Sequence, residues 1–383
     1  MKLLAPKLFY FFWFVALGIA VPFIVLYYRR AGLDEAQIGL LLALPGLAQL
    51  VAGPLWGLLA DTLRLRRLLP VVVVGTLAPL ALIGQVTAFG PIFALALLYA
   101  LFSVAVSPLA DSATLAALGA QRERYGALRV WGAVGWSLST LVAGWLVEPA
   151  RLGLGMIFWA YPLMGALAAL AALGMPRAQL AAAGASLAGA ARTLLRDPRW
   201  ARFLANALLI GCSGSLVHGF LSLYLEDLGA SGEQIGLAYL IAGLSELPVM
   251  VLSPIVLRRW GARPLLITAG LAYALRMALF AVVPTAEWAL AVQLLNGLCF
   301  AALWIGGVVE AQRLAPPGLE ATAQSLFGTA VFGVAVALAN TAGGVIYRDF
   351  GFGALFAAAA ILSLLGALGL LAGRAEQPVT VSR

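Results

Sequence analysis

Asp111 and Arg129 are opposite charges eighteen positions apart, on either side of a short hydrophilic turn that joins two long apolar stretches. The second stretch opens Tyr125-Gly-Ala-Leu-Arg129-Val-Trp-Gly-Ala-Val-Gly-Trp136. An ionised side chain at the centre of a bilayer costs about 2.5–3.5 kcal/mol even on lenient scales, so a charge inside a span marks a functional site with a partner to be named. A guanidinium and a carboxylate together can hydrogen-bond vicinal hydroxyls, and Trp136, two helical turns beyond Arg129 on the same face, offers an indole to the apolar side of a ring. The plain alternative is a structural ion pair, with Trp136 as a packing residue.

The elements that must hold these residues follow from composition. Of 383 residues, 63% are hydrophobic and 10% charged, and the mean hydropathy is +1.00. So few polar residues cannot cover a water-soluble domain of this size. Crossing a bilayer takes about 20 apolar residues. Twelve such stretches are predicted, near 7–29, 36–61, 66–88, 91–118, 125–148, 153–174, 199–225, 233–258, 263–284, 286–313, 320–347 and 351–373; they are numbered spans 1 to 12 below. The first is too long for a signal peptide and reads as a retained span. Cys212 and Cys299 both lie inside spans, which gives neither a disulfide framework nor a metal site.

The net charge of +8 is explained by topology. Eighteen of the 24 lysines and arginines fall on the side of the N-terminus, four (Arg29, Arg30, Arg151, Arg348) fall on the other side, and Arg129 and Arg276 sit within spans. The positive-inside rule then puts both termini in the cytoplasm. A polar segment near 176–198 separates six spans from six: an N-terminal bundle (1–175), a flexible cytoplasmic linker (176–198) and a C-terminal bundle (199–383).

The halves repeat at an offset of 197: Leu26-Tyr27 matches Leu223-Tyr224, Gly32 matches Gly229, Gln37-Ile38-Gly39 matches Gln234-Ile235-Gly236, Gly46-Leu47 matches Gly243-Leu244, and Arg66 matches Arg263. Internal repeats of this kind place a substrate site near mid-membrane between the halves. In that register Gln49 corresponds to Glu246, both inside spans. Gly39, Gly46 and Gly53 recur every seven residues on span 2, which reads as close helix packing.

Between spans 2 and 3 stands Gly57-Leu-Leu-Ala-Asp61-Thr-Leu-Arg64-Leu-Arg66-Arg67. It resembles the cytoplasmic loop motif of the major facilitator superfamily, with Arg64 in place of the family's second glycine. The resemblance implies a conformational latch of Gly57, Asp61, Arg64, Arg66 and Arg67, echoed by Arg263 in the weaker copy Arg258-Arg259-Trp260-Gly261-Ala262-Arg263. The implied fold is all-α, with twelve transmembrane helices in two pseudo-symmetric six-helix bundles.

Around spans 4 and 5 the resemblance narrows to the lactose permease and phenylpropionate permease branch. Tyr125-Gly126, Arg129, Gly132 and Val134-Gly135-Trp136 look like the segment carrying that family's sugar-binding arginine and stacking tryptophan, and Asp111 stands where a glutamate is expected. At 1.5 Å per residue, Asp111 lies about 10 Å and Arg129 about 8 Å from the same ends of adjacent antiparallel helices, a depth that suits pairing. In the second half Glu246 on span 8 and Arg276 on span 9 match an acidic residue and an arginine with substrate and proton-coupling roles. Glu246 lies mid-span with no loop to snorkel into, so its charge needs Arg276 or a substrate as compensation. The family's coupling histidine and glutamate on span 10 fall at Asn296 and Cys299, its lysine at Gln293, and its two span 7 aspartates at Ser215 and His218. His218 is the only histidine; its ordinary pKa range makes proton relay chemically accessible, and hydrogen-bonded packing is the alternative.

These readings commit the chain to a secondary active transporter, not an enzyme. The expected mode is proton symport of a sugar, oligosaccharide or other small polar solute by alternating access. The expected binding residues are Asp111, Arg129, Trp136, Glu246, Phe23, Tyr27 and Gln49; those for proton coupling are Glu246, Arg276, His218 and Asn296. No cofactor beyond the proton gradient, no metal and no nucleic acid is expected; the partners are the substrate and the bilayer of a bacterial-type inner membrane, with the chain a monomer. The alternatives are an aromatic-acid or nucleoside symporter, an uncoupled facilitator, and a multidrug antiporter, which is disfavoured because span 5 lacks a glycine-proline motif. A membrane enzyme or receptor is disfavoured too: there is no nucleophile-base set or phosphate loop.

Overall fold

The computed structural model describes residues 3–62, 68–119, 121, 124–176 and 187–372. Lipid offers no partner for backbone N–H and C=O groups, so an apolar chain of this kind satisfies them within helices. Nine described helices are long and apolar enough to cross a membrane. They are span 1 (Leu4–Arg30), span 2 (Glu35–Thr62), span 4 (Phe89–Leu118), span 6 (Leu154–Leu173), span 7 (Pro198–Asp227), span 8 (Gly232–Trp260), span 9 (Ala262–Val282), span 10 (Ala286–Leu314) and a 53-residue run, Glu320–Ala372. The shorter Leu68–Ile83 is span 3, and Tyr125–Leu146 is span 5. The long run turns back at Gly351, whose φ of 77° lies outside the helical region, and so forms spans 11 and 12. Twelve helical passages result among the described residues.

Three expectations need correction. Span 1 is not continuous: its helix stops at Ala20 and restarts at Ile24, because Pro22 has no N–H to continue the ladder. Span 3 ends at Ile83 rather than near 88, at a turn through Gly84 and Gln85. The expected flexible linker contains an amphipathic helix, Leu187–Arg196, with Leu194 fully buried. Asp197 follows, accepting the Arg199 N–H at 2.8 Å with Pro198 at the first helical position, and so starts span 7.

Spans 1, 5 and 6 pack together and spans 2, 3 and 4 pack around them; spans 7, 9, 11 and 12 form the corresponding core of the second set, with span 10 against 8 and 9. The two sets meet along spans 2 and 11 and along spans 5 and 8. Backbone meets backbone there: a Cβ on Gly39 would strike the Asn340 carbonyl, and one on Gly236 the Thr140 carbonyl. These are the repeat-equivalent glycines, and each uses its missing side chain to admit the opposite set. Gly53, the third of the heptad, meets only Gln49 of its own helix. The equivalents Gly32 and Gly229 both end their helices with positive φ, 89° and 79°.

At the end of the bundle opposite the chain's start, ion pairs tie span 1 to span 7 and close the seam between spans 5 and 8. Arg29 reaches Asp227 at 2.6 Å, Glu35 at 3.2 Å and Glu226 at 3.4 Å, and Arg30 reaches Glu226 at 3.6 Å. Arg151 meets Glu233 at 2.9 Å, and Glu148 accepts the Gly232 N–H at 2.6 Å. Arg29 and Glu226 are separated by 197 residues, the repeat offset. Positions made equivalent by the repeat therefore face one another, and the chain has given them opposite charge.

Candidate functional site

The first-half site is built on the seam between spans 1 and 5. Small residues on one face of span 5 bring the two backbones together: a Cβ on Gly135 would strike the Phe11 carbonyl, and Gly18 of span 1 lies directly against Ser139. Arg129 and Gly132 precede them on that face at helical spacing, so the Arg129 side chain lies across span 1. Its Cζ stands 4.2 Å from the Phe14 ring centroid and 5.2 Å from that of Tyr10. A Cβ on Gly132 would come within 2.8 Å of the guanidinium, so the glycine leaves the space that the side chain uses. Tyr10 and Phe14 are themselves one turn apart.

Asp111 and Arg129 do not form the ion pair expected from their depth. Both are half-buried. The Asp111 carboxylate accepts a 2.6 Å hydrogen bond from the Tyr10 hydroxyl, while Arg129 rests on the ring of the same tyrosine. Equal depth brought the charges near each other, but the rotation of spans 4 and 5 about span 1 placed a phenol between them. Tyr125 lies within electrostatic reach of both charges.

The second-half site is a chain of polar side chains across spans 8, 9 and 10. Asn296 donates to Glu246 Oε1 at 2.9 Å and to the Ala242 carbonyl at 3.2 Å, and its Oδ1 accepts from Arg276 Nη1 at 2.7 Å. Arg276 Nη2 donates to Gln293 Oε1. Arg276 is 1% exposed and Gln293 fully buried. Glu246 and Arg276 thus communicate through an amide rather than by direct contact, a second correction to the expected pairing. The local backbone makes this possible. Span 10 runs through a 3-10 turn at Gln293–Leu295 and a π-helical turn at Gly297–Ala301, flanking Asn296. Such bulges redirect side chains and recur at functional sites. Gly297 lies against span 8, where any Cβ would collide with the Ser245 carbonyl, and its N–H donates to Ser245 Oγ at 2.9 Å.

The other expected site residues divide. Trp136 is half-buried and meets Tyr239 of span 8 edge to face at 6.3 Å, joining the halves rather than presenting a free indole. Tyr239 also shares a 3.1 Å hydrogen bond with Ser222. His218 is exposed between buried neighbours on span 7 and has no hydrogen bond among the described residues; the positive charge of Arg276 reaches it, as it reaches Tyr239, Tyr273 and Cys299. Gln49 is half-buried beside Gly53 of its own helix. Phe23 is fully buried and cannot line a solvent-filled space. Tyr27 spends its hydroxyl on the carbonyls of Ile83 and Val86, both at 3.1 Å, with its ring against Phe158, and so ties span 1 to the end of span 3. Both were expected to line a cavity; both serve packing. Of the expected latch, Arg64, Arg66 and Arg67 lie outside the described residues, as do the side-chain surroundings of Gly57 and Asp61. Arg263 donates to the Leu370 carbonyl in the last turn of span 12, from Nε at 3.1 Å and Nη2 at 2.5 Å.

Tyr10 and Phe14 are functional candidates that the sequence reading passed over. Their spacing of four on an aromatic-rich helix was visible, but it is the common spacing of a packing stripe.

Residues 3–358 match the MFS_1 like family. The chain is 31% identical over 376 residues to the maltose permease of Geobacillus stearothermophilus, covering 95% of this chain and 92% of that protein. It is 27% identical over 374 residues to the probable 3-phenylpropionic acid transporter of Escherichia coli (strain K12), covering 92% and 93%. The crystal structure of the nucleoside transporter NupG superposes with a TM-score of 0.85 at 20% identity, over 97% of this chain and 98% of that one, which shows a shared fold. With its charges buried inside helices, its repeated halves and these matches, the chain belongs to the MFS_1 like family and is a multi-pass integral membrane protein, a secondary transporter of the major facilitator fold rather than an enzyme.

Proposed function

We propose that this transporter carries a sugar or short oligosaccharide in symport with protons, by alternating access, as a monomer in a bacterial-type inner membrane with both termini in the cytoplasm. The observation that carries the reading is Arg129. It is a half-buried guanidinium held on two aromatic faces, with Asp111 one tyrosine away and, among the described residues, no ion pair to a carboxylate. A charge kept in the bundle without an acidic partner is suited to hydrogen-bonding a ligand. The similarity to a maltose permease over nearly the whole chain supports a sugar. Glu246, joined through Asn296 to Arg276, is the group we assign to proton coupling, with His218 facing the same arginine. The ion pairs of Arg29, Arg30 and Arg151 would seal the outer end, leaving access from the cytoplasmic side.

A second reading is favoured by one observation: a guanidinium lying on Phe14 and Tyr10 also suits an aromatic carboxylate, in keeping with the similarity to a probable 3-phenylpropionic acid transporter. A thermal-shift screen of the purified protein against maltose, maltotriose, nucleosides and aryl carboxylates separates the two, since a ligand of the folded form raises its melting temperature. We expect maltose or maltotriose to stabilise the native protein and not Arg129→Ala, and ligand addition to alkalinise the medium around de-energised vesicles. Stabilisation by aryl carboxylates alone would replace the sugar reading, and an unchanged pH would remove proton coupling.

A further inference from the structure

We propose that Tyr10 is a positioning residue that holds Asp111 and Arg129 apart and so keeps the guanidinium available to ligand. The proposal rests on the reading of Arg129 as a ligand-binding group. A carboxylate and a guanidinium sharing one low-dielectric neighbourhood attract strongly, and contact between them would be expected if nothing else engaged them. Here one side chain engages both. The Tyr10 hydroxyl donates to Asp111 at 2.6 Å, a charge-assisted bond that occupies the carboxylate. The Tyr10 ring lies 5.2 Å from Arg129 Cζ, and with Phe14 at 4.2 Å on the same helix it supplies aromatic faces that stabilise the cation without neutralising it. Tyr10 is 1% exposed, so its ring is fixed by its surroundings and cannot swing away. The close approach of spans 1 and 5 through Gly18, Ser139 and Gly135 sets the distance at which both contacts are made. Without the hydroxyl, Asp111 would keep Tyr125 as a polar neighbour but lose the 2.6 Å bond that turns it from Arg129, the charge that Tyr125 also faces. The pair would close and a binding group would become a structural tie.

The test reads Arg129 directly and needs no knowledge of the substrate. Purified protein is treated with phenylglyoxal, and modification of Arg129 is followed by mass spectrometry. We expect the native residue to react, Tyr10→Phe to slow its reaction several-fold as Asp111 pairs with it, and Tyr10→Phe with Asp111→Asn to restore the native rate. Asp111→Asn alone is expected to leave the rate unchanged, because Tyr10 already holds the carboxylate away; this arm decides the matter if Tyr10→Phe does not fold. A native rate in Tyr10→Phe, continued protection in the double variant, or a several-fold rise in Asp111→Asn alone would each overturn the proposal. Maltose-induced thermal shifts on the same variants separate the two layers: labelling that follows the expected pattern while maltose stabilises every variant equally would keep the positioning role and reject Arg129 as a sugar ligand.

Discussion

The two halves of this transporter keep a buried arginine in different ways. In the first half Arg129 lies on aromatic faces, and the Asp111 carboxylate is turned to one of those rings, Tyr10. In the second half Arg276 is almost wholly buried and hydrogen-bonded by two amides, one of which carries the contact on to Glu246. The aromatic arrangement stabilises the charge and, among the described residues, leaves its hydrogen-bonding edge uncommitted. The amide arrangement commits the donors to protein acceptors; Arg276 Nε and Gln293 Nε2 are left buried without a partner among the described residues. Under the proposed function, the first arrangement suits exchange of partners with a ligand, and the second a link that persists while a proton arrives or leaves. The repeat does not dictate this difference. Span 10 supplies the uncharged Asn296 and Gln293 to Arg276, and the charges of the second half are linked through these neutral groups.

The comparison breaks most visibly if the arginines are removed. Arg276→Leu removes the charge that reaches Glu246 through Asn296 and strands two amide oxygens, about 1–3 kcal/mol for each acceptor left unsatisfied. We expect a sharply lowered melting temperature or no monodisperse protein, partly recovered when Glu246→Gln is added. Arg129→Leu is expected to keep the melting temperature within a few degrees of native while abolishing maltose stabilisation. Equal destabilisation by both substitutions would show that the two sites are held by the same kind of bond.

A smaller effect is expected at Gly297, where a methyl group would strike the Ser245 carbonyl and lift span 10 from span 8. Overpacking of this kind costs about 1–3 kcal/mol. Gly297→Ala should lower the melting temperature and suppress substrate-driven proton movement together, because Asn296 moves with the backbone. Gly126→Ala, at a first-half position with open space around it, serves as the matched control and should melt like the native protein.

The smallest effect sharpens the role of the rings. Phe14→Leu keeps an apolar neighbour under Arg129 but removes the quadrupole, a loss of about 0.5–1 kcal/mol at a partly exposed site. Titration with maltose should show affinity weaker by a few-fold with stability unchanged. An unchanged affinity would mean that the aromatic faces position Arg129 no better than any apolar surface.

The helices were legible because lipid leaves an apolar chain little choice: eleven of the predicted spans lie within about three residues of their observed ends, the exception being span 3 at the Gly84 turn, while span 1 is interrupted at Pro22. The heptad glycines of span 2 read as close helix packing, and Gly39 does make such a contact; that it and its repeat-equivalent Gly236 each admit a helix of the opposite set was not legible, since spacing along one helix does not name its neighbour. The residues of the two charged sites could also be named. Their partners could not. Hydropathy and helical rise give a residue's depth, not the rotation of its helix about its own axis, and Tyr10 lies 101 residues from the carboxylate that it holds. The role of Phe23 failed for the same reason, since an aromatic at the right depth can face either the packed interior or the space between the halves.

The amino-acid sequence by itself determined that this chain crosses the membrane, that it does so in two related sets of helices, and which few charges must be accommodated in lipid. Those follow from transfer free energies and spacing along the chain, which are local properties. Only the tertiary structure decided that Asp111 answers to Tyr10, that Glu246 reaches Arg276 through Asn296, and that Arg29 meets its repeat-equivalent Glu226 between spans 1 and 7. Each of those depends on how whole helices are rotated and how closely their backbones approach. That is set by small residues and bulges at helix contacts rather than by the charges themselves.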